Sequence, residues 1–579
     1  MQEIKNCQNC KKTFEIDAQD FEFYEKISDK NSEVKVPVPT FCPDCRVQRR
    51  MQFFNQSKLY KRKCDATGRM IFTTISADYP GKVYDTDYWW SDNWDAIEYA
   101  QDYDFSKPFF EQIKELSLKV PKFSRSVMDL VNSDYCAGAT GLKNCYLIFN
   151  SDYSEDSAYG VKINKVKESF DNYNLVESEL CAHCFMVRAS YKVFFSRHCV
   201  NCQEVYFSKN LKNCNNCFGC VNLRNKSYCI FNKQYTKEEY KKQLEEFNLG
   251  SYEFQQDLIK QSEDLFLKFP VKFMEGLKNT NVSGDYINNS KNVFNSNQVF
   301  EGENCKYCYS VVMLKDSYDY TIWGENANNI YETAVSGENI SNLKFCYESY
   351  RDNMNLEYCI NCMSCSDCFA SVGLRKKQYC ILNKQYTKEK YFEIVEKIKK
   401  HMNEMPHIDK QGREYKYGEF FPPELSPFAY NETIAQEYFP LIKEEAKKQG
   451  YKWKDPEKRN YQTTIEAKDL PDNIADVNKD ILKEVIGCTT IEEDREVTGC
   501  TTAFKIIPQE LEFYKKMNLP LPRYCPNCRH NQRLKHRNPL KLYKRTCDKE
   551  GCNTEFETTY APDRKEIVYC EKCYQNEVA

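Results

Sequence analysis

KSYCIFNKQYTKEEY, which begins at Lys226, recurs as KQYCILNKQYTKEKY from Lys377. Each copy closes a long stretch, 130–235 and 280–387, in which aromatic residues recur with a period near 12. Asn, Ser, Asp and Gly, the residues of tight turns, fill the intervals. This pattern predicts a parallel β-solenoid with about two segments in each coil. We therefore expect a mainly β protein with solenoid modules at 126–247 and 248–402.

An amphipathic stretch follows each copy of this repeat. KKQLEEF comes after Tyr240, and FEIVEKIKKHM comes after Tyr391. We expect both stretches to be helices that cap the solenoids and cover exposed strand edges. Thr236 and Thr387 are the predicted N-caps, because a threonine side chain can accept a hydrogen bond from the first helical turn.

A second internal repeat joins the two ends of the chain. CKKTFEI at Cys10 matches CTTAFKI at Cys500, and PVPTFCPDCR at Pro37 matches PLPRYCPNCR at Pro520. In the N-terminal copy, two Cys-x2-Cys pairs form a set of four thiols: Cys7, Cys10, Cys42 and Cys45. Zinc prefers four sulfur or nitrogen ligands in a tetrahedron, so this spacing predicts a zinc site.

The order Cys-x2-Cys, FEFY, Pro and Cys-Pro-x-Cys-Arg resembles the treble-clef zinc-ribbon family of bacterial proteins, over roughly 40 residues at each end. The resemblance implies a knuckle, a β-hairpin, and a second knuckle that opens a helix. It carries the ligand role over to Cys7, Cys10, Cys42 and Cys45. It implies no defined biochemical activity.

The C-terminal copy departs from this pattern, because Val497 stands where the first ligand is expected. Cys488 is the predicted substitute beside Cys500, Cys525 and Cys528. A further zinc-ribbon spacing follows at Cys547, Cys552, Cys570 and Cys573. The N-terminal counterpart of this last site keeps only Cys64, so we expect it to have lost its metal. The sequence thus predicts about three zinc ions in closed, structural sites.

Eighteen further cysteines lie in the centre, some in dense clusters such as Cys199–Cys220 and Cys359–Cys368. Three interpretations remain open: an iron–sulfur site, further zinc sites, or small side chains stacked inside successive coils. We favour the stacked side chains, because the two modules do not keep the same cysteine positions throughout.

A basic run accompanies each Cys-Pro-x-Cys-Arg motif. If a helix starts there, the run forms an arginine stripe on one face, made of Arg46, Arg49 and Arg50 in one copy and of Arg529, Arg533 and Arg537 in the other. Nucleic acid, RNA or DNA without sequence specificity, is the leading predicted partner of these stripes. A protein-facing role and a solvated face paired with local acids are the alternatives.

The composition limits the remaining function classes. The net charge is -3, which argues against an extended basic nucleic-acid coat. We expect no membrane span, and the absence of a secretory leader leads us to expect a cytoplasmic protein with reduced thiols.

No established catalytic motif is present, so we expect a non-enzymatic protein that contacts nucleic acid. A protein-interaction scaffold is the alternative. A hydrolase is a further alternative: His530 could serve a nuclease, and acids such as Asp319 and Glu332 a glycosidase. The predicted division is an N-terminal ribbon (1–64), a connector (65–125), the two solenoid modules, a second connector (403–484) and a double ribbon (485–579).

Overall fold

A computed structural model describes residues 2–455 and 462–578. It confirms the predicted class: the chain is mainly β, with parallel β-solenoid coils in the centre and a cysteine-rich module at each end. We call residues 127–234 the first solenoid and residues 276–385 the second solenoid.

The strands of both solenoids follow one another in sequence order. Those of the first are Val127–Met128, Ala137–Thr140, Phe149–Asp152, Val161–Asn164, Tyr173–Val176, Phe185–Arg188, Tyr191–Phe194, Gln203–Tyr206, Asn215–Phe218, Ser227–Ile230 and Lys233–Gln234. Those of the second are Gly276–Leu277, Thr280–Asn288, Lys291–Lys306, Tyr309–Asn328, Tyr331–Gly337, Ser341–Lys344, Met354–Glu357, Ser366–Phe369, Gln378–Ile381 and Lys384–Gln385.

One coil of the first solenoid is only 12 residues long. Val161 pairs in parallel with Tyr173, which pairs with Phe185. Every third residue from Asn144 to Phe231 has a left-handed backbone, with φ between 44° and 63°. Each coil therefore turns four corners and has four sides of three residues. The residue after each corner points into the coil, and most of these positions are buried.

The sequence led us to expect about two segments of 12 residues in each coil. This expectation is wrong, because a single period of 12 residues makes a whole coil. Left-handed backbone is costly for residues other than glycine, so the stacked coils must enforce it at every corner. Ladders of side-chain hydrogen bonds help to do so. The Oγ of Ser151, for example, accepts from the backbone N–H of Ile163 one coil later, at 2.9 Å.

The central cysteines occupy these inward positions, which confirms the interpretation we favoured. Cys199, Cys202, Cys214, Cys217 and Cys220 are each at most 3 % exposed. Their thiols are within hydrogen-bonding distance of backbone carbonyls of their own coil or the next, as Cys202 Sγ is of the Leu211 carbonyl at 3.5 Å. Among the described residues, no central cysteine belongs to a group that could hold a metal ion.

Thirteen helices lie in the described residues: α1 (Ala18–Ile27), α2 (Pro43–Met51), α3 (Thr86–Trp90), α4 (Phe109–Lys119), α5 (Lys237–Glu245), α6 (Tyr252–Phe266), α7 (Lys388–Glu404), α8 (Ile434–Tyr438), α9 (Lys443–Lys448), α10 (Glu492–Thr498), α11 (Pro508–Met517), α12 (Pro526–Leu534) and α13 (Glu571–Val578). The predicted capping helices are α5 and α7, and Thr236 and Thr387 are their N-caps. None of the helices in 2–455 and 462–578 has the length and apolarity needed to span a bilayer.

Short strand pairs build the two ends and the connectors. The antiparallel pairs are Glu3–Asn6 with Thr13–Ile16, Tyr60–Lys63 with Met70–Thr73, His407–Ile408 with Glu414–Tyr415, Ile486–Gly487 with Ala503–Phe504, and Tyr543–Thr546 with Glu555–Thr558. Two pairs are parallel: Val83–Tyr84 with Lys122–Phe123, and Val568–Tyr569 with Val271–Lys272. Each parallel pair joins one end of the chain to the strand that leads into a solenoid.

The inward position of the central cysteines yields a stability prediction. Replacing Cys362 by Ala should lower the free energy of unfolding by about 1 kcal/mol, because it leaves a small void in a packed coil. The metal content should not change. Chemical denaturation and metal analysis of the purified protein would measure both, with exposed Gln378→Ala in the same solenoid as the control. A drop in metal content would contradict the stacked-cysteine interpretation.

Candidate metal centres and buried arginine clusters

The N-terminal quartet brings Cys7, Cys10, Cys42 and Cys45 together. All four sulfur atoms lie within 4.8 Å of one another, and the Cys10 and Cys42 sulfurs are 3.6 Å apart. A tetrahedral zinc site with Zn–S bonds of about 2.3 Å places sulfurs roughly 3.8 Å apart, so the set has the right size. Cys42 caps α2, and Pro43 opens that helix, which fixes the second knuckle.

The second quartet contains Cys488, as predicted, with Cys500, Cys525 and Cys528. The sulfurs of Cys525 and Cys528 are 3.5 Å apart, and those of Cys525 and Cys500 are 3.9 Å apart. Cys488 reaches the site from the end of the strand Ile486–Gly487, which pairs with Ala503–Phe504. Val497 lies instead on α10, an added helix that occupies the chain between the two knuckle cysteines.

The third quartet is Cys547, Cys552, Cys570 and Cys573. Its N-terminal counterpart keeps the same backbone without the same ligands. The N–H of Cys570 donates to Cys547 Sγ at 3.3 Å, and the N–H of Asp85 donates to Cys64 Sγ at 3.2 Å. The Arg545–Asp548 ion pair has its match in Arg62–Asp65. The fold of this unit has therefore been retained where three of four cysteines are missing.

Hydrogen bonds to sulfur prepare these sites for a cation. Thr490 Oγ1 donates to Cys528 Sγ at 2.9 Å, and Asn9 Nδ2 donates to Cys45 Sγ at 3.3 Å. Hydrogen bonds with Thr554 lower the pKa of Cys552 to about 6, whereas burial raises the pKa of Cys547 and of Cys573 in the same quartet. The thiolate is the form that binds metal, so a bound cation would have to displace protons from these two thiols. Each quartet fits a metal ion with four sulfur ligands.

The quartets predict a stepwise loss of metal. Cys10→Ser should reduce the content by one ion per chain and destabilise the N-terminal ribbon, because three thiolates hold zinc less tightly than four. Cys64→Ser is the matched control and should leave the content unchanged, since Cys64 belongs to none of the three quartets. Inductively coupled plasma mass spectrometry would count the ions. Equal losses in both variants would contradict the assignment.

The six arginines predicted to bind nucleic acid do lie on one face of each helix, with Arg537 just beyond the end of α12, but that face is buried. Arg46, Arg49, Arg50, Arg529 and Arg533 are at most 4 % exposed, and the side chain of Arg537 is 6 % exposed. Their guanidinium groups face acids of the same chain. The cause is tertiary, because the faces of α2 and α12 that carry them pack against the solenoids.

In the N-terminal cluster, α2 meets the second solenoid. Arg46 pairs with Asp319 at 2.9 Å, and Arg50 pairs with Asp319 at 3.1 Å and with Glu332 at 2.9 Å. Arg49 lies between Glu332 at 3.1 Å and Glu419 at 3.0 Å. The Arg46 guanidinium also lies 5.0 Å from the centre of the Tyr307 ring. The cluster joins a ribbon helix, a solenoid and the second connector.

The C-terminal cluster repeats this arrangement on the first solenoid. Arg529 pairs with Asp171 and, at 2.9 Å, with Glu510. Arg533 pairs with Asp171 at 3.0 Å. The Arg529 guanidinium lies 4.5 Å from the centre of the Tyr159 ring. The Arg46 guanidinium lies over the Tyr307 ring in the same way, at 5.0 Å. The N-terminal ribbon thus packs on the second solenoid, and the C-terminal ribbon packs on the first.

Arg537 completes the stripe at a different place. Its guanidinium lies 3.4 Å from the centre of the Tyr438 ring and donates to the backbone carbonyl of Glu437 at 2.6 Å. The contact ties the C-terminal ribbon to the second connector.

The pKa values of the carboxyl groups in these clusters are shifted in opposite directions. Burial raises the pKa of Asp171, but the positive charges of Arg529 and Arg533 outweigh it and leave the pKa lowered. Burial dominates at Glu510 and at Glu332, so the pKa of each is raised in spite of the neighbouring arginines. Asp171 is therefore the acid of the C-terminal cluster whose charged form the arginines favour most.

The acids proposed for a hydrolase belong to this same architecture. Asp319 and Glu332 are 0 % and 1 % exposed and lie between arginines, so they do not form a pair of carboxylates in a groove. The ring of His530 faces Glu437 at 3.7 Å and belongs to none of the three quartets. The structure places neither set of residues in the geometry that the hydrolase alternative required.

Sequence analysis missed Asp171, Glu510 and Glu419 as partners of the arginines. A signal was available for one of them, because Tyr159 and Asp171 stand in the first solenoid as Tyr307 and Asp319 do in the second. An alignment of the two solenoids would have shown that the same tyrosine–aspartate pair, 12 residues apart, occurs at the same position in both. The link to the arginines is visible only in three dimensions.

The buried clusters predict a large effect of single substitutions. Arg529→Ala should lower the free energy of unfolding by roughly 3–5 kcal/mol. The substitution removes a positive charge that pairs with the buried acids Asp171 and Glu510. Arg351→Ala is the control. Arg351 pairs with Glu338 at the surface, where an ion pair contributes about 1 kcal/mol or less. Denaturant titration would compare the two, and similar losses would contradict the role of the cluster.

Comparison with known proteins adds little to this description. No family model matches the chain, and no curated protein matches it. Among solved structures, one described as "putative acetyltransferase from Desulfovibrio desulfuricans G20" is 10 % identical over 49 % of this chain and 85 % of its own. The TM-score is 0.10, which carries no argument about fold or function. The cysteine geometry itself fits zinc-ribbon-like modules.

Proposed function

We propose that this protein is a zinc-stabilised, non-enzymatic scaffold that binds a partner protein along the outer face of its first solenoid. The observation that carries the proposal is the inward direction of the six arginines. The basic faces of the ribbons pack against the solenoids and hold them in place. The outer face of the first solenoid is then left as a broad surface for recognition. This favours the scaffold alternative over nucleic-acid contact through the arginine stripes.

Zinc is the metal we propose for all three quartets. Four-thiolate tetrahedral sites with closed coordination are typical of structural zinc, which stabilises units too small to have a sufficient core. The treble-clef fold is our proposal for the ribbons at both ends. Since none of the 31 cysteines, all of which lie in the described residues, forms a disulfide, we propose a reducing compartment such as the cytoplasm.

The proposed binding surface is a shallow cleft of about 710 Å³ on the first solenoid. We call it the solenoid flank, and its lining includes Lys165, Glu177, Tyr191, Asn201, Gln203 and Asn213. Tyr191 is 41 % exposed, and an exposed aromatic ring of this kind is a common anchor at protein interfaces. The Asn201 amide donates to Asn213 at 2.9 Å, which holds the polar side chains in a fixed row.

The flank predicts which substitution abolishes partner binding. The full-length protein would be used to capture proteins from an extract of its own cells, after nuclease treatment and in high salt. We expect specific partners with the wild type and their loss with Tyr191→Lys combined with Gln203→Lys, because charged side chains would replace the aromatic anchor and its polar neighbour.

Tyr153→Lys is the matched control, since Tyr153 is a 60 % exposed tyrosine elsewhere on the same solenoid. Capture that is sensitive to nuclease or salt would favour nucleic acid instead and would contradict the scaffold. Equal capture by the flank variant and the control would contradict the assigned surface.

A further inference from the structure

The N-terminal unit that lacks a cysteine quartet has a hairpin with an unusual outer surface. Its two strands pair Lys61 with Phe72 and Lys63 with Met70. These four side chains lie on one face of the hairpin, because residues two apart on a strand point the same way and cross-strand partners share a face. We call them the hairpin face. Both lysines are exposed, Met70 is 62 % exposed, and Phe72 is half-buried.

The C-terminal copy of this hairpin has a different set of side chains in the same positions. There Lys544 pairs with Glu557, and Thr546 pairs with Glu555. All four are exposed, so this face combines one positive with two negative charges. The hairpin face of the N-terminal copy has two positive charges, and apolar side chains stand where the copy has its glutamates. Exposed apolar side chains next to charged ones are typical of an interaction site.

The positive charge of the hairpin face is not neutralised by neighbouring acids. In the part of the chain that the structure describes, Lys61 and Lys63 form no ion pair, and neither does exposed Arg69 in the connection between the strands. Asp65, the acid of that connection, pairs with Arg62 instead. The face is therefore able to attract a negatively charged partner.

The first solenoid extends the hairpin face with a second aromatic ring. Tyr135, in the first coil, is 39 % exposed, and its ring centre lies 4.6 Å from that of Phe72. The Lys61 ammonium lies 5.1 Å from the centre of the Phe72 ring, and the Arg125 guanidinium lies 6.0 Å from it. Arg125 is itself held by the Cys136 carbonyl, to which it donates at 2.7 Å. A ring fixed in this way loses little freedom when a partner covers it.

We propose that the hairpin face docks an acidic segment of a partner protein, one in which aspartates or glutamates accompany an apolar side chain. The carboxylates pair with Lys61 and Lys63. The apolar side chain covers Met70 and Phe72. A polypeptide is favoured over a nucleic acid because an exposed methionine is typical of surfaces that bind protein segments. The proposal rests on the scaffold role and adds a second contact, which shares no residue with the solenoid flank.

The probe for this surface is a fluorescent synthetic peptide that repeats the sequence Glu-Glu-Leu-Ser. Fluorescence anisotropy would follow its binding to the full-length, zinc-loaded protein. We expect saturable binding that weakens as the salt concentration rises, and none with a peptide that has lysine in place of glutamate. Lys61→Glu combined with Lys63→Glu should weaken binding about tenfold or more, because like charges would then face the peptide.

Lys541→Glu combined with Lys544→Glu is the matched control and should bind the peptide normally. It reverses two exposed charges on and just before the C-terminal hairpin, where Lys544 holds the position of Lys61. Absence of saturable binding to the wild type would overturn the proposal, as would equal losses in the two double variants.

Met70→Ser separates a protein partner from a nucleic acid. This variant keeps every charge of the hairpin face and should still weaken peptide binding, because the exposed Met70 side chain is removed. Single-stranded poly(U) RNA would be tested as a competitor. RNA that binds more tightly than the peptide, and equally well to wild type and Met70→Ser, would overturn the proposal and identify the face as a nucleic-acid site.

The two proposals fail in different ways. The flank variant with Tyr191→Lys and Gln203→Lys leaves the hairpin face intact and should still bind the acidic peptide. If the peptide binds through the hairpin face while the flank variant captures partners normally, the flank assignment fails and the hairpin face stands. If flank-dependent capture is seen without peptide binding, the proposal for the hairpin face alone is wrong.

Discussion

The contact between a ribbon arginine and a solenoid aspartate holds this molecule together. It occurs twice, as Arg46 with Asp319 and as Arg529 with Asp171, each time beside a tyrosine of the same solenoid. A buried ion pair costs desolvation energy and stabilises only when its geometry is satisfied on all sides. Here that requirement is useful, because a ribbon can dock only where a tyrosine and an aspartate stand at the same corner of successive coils. The pair therefore specifies which surfaces meet as much as it stabilises them.

The arrangement of the two contacts is reciprocal. The N-terminal ribbon docks on the second solenoid, while the chain just after it, at Val83–Tyr84, pairs with the strand that enters the first. The C-terminal ribbon docks on the first solenoid, while Val568–Tyr569 pairs with the strand that enters the second. Each end of the chain thus touches both solenoids. Loss of one metal ion should therefore destabilise both solenoids, because each solenoid is held by both ribbons.

Much of this could be predicted because it depends on residues close in sequence. The quartets were found from cysteine spacing, and Cys488 was found because the aligned copy showed what was missing at Val497. The helix caps at Thr236 and Thr387 are also local features. The solenoid itself was visible as a period of 12, but its coil length was not. Inward positions of the first solenoid hold Ser or Cys more often than Val or Leu, so no hydrophobic periodicity of three marks the sides of the coil.

The arginine stripes show why local inference fails at a tertiary contact. The basic run that carries each stripe contains almost no acidic residues, and this pattern is the one that an exposed nucleic-acid surface would have. The compensating charge is remote: Asp171 and Arg529 are separated by 358 residues, and Glu332 and Arg50 by 282. The same residues read differently once the contact is known, because an arginine stripe that faces acids of a distant segment is a docking surface within the chain.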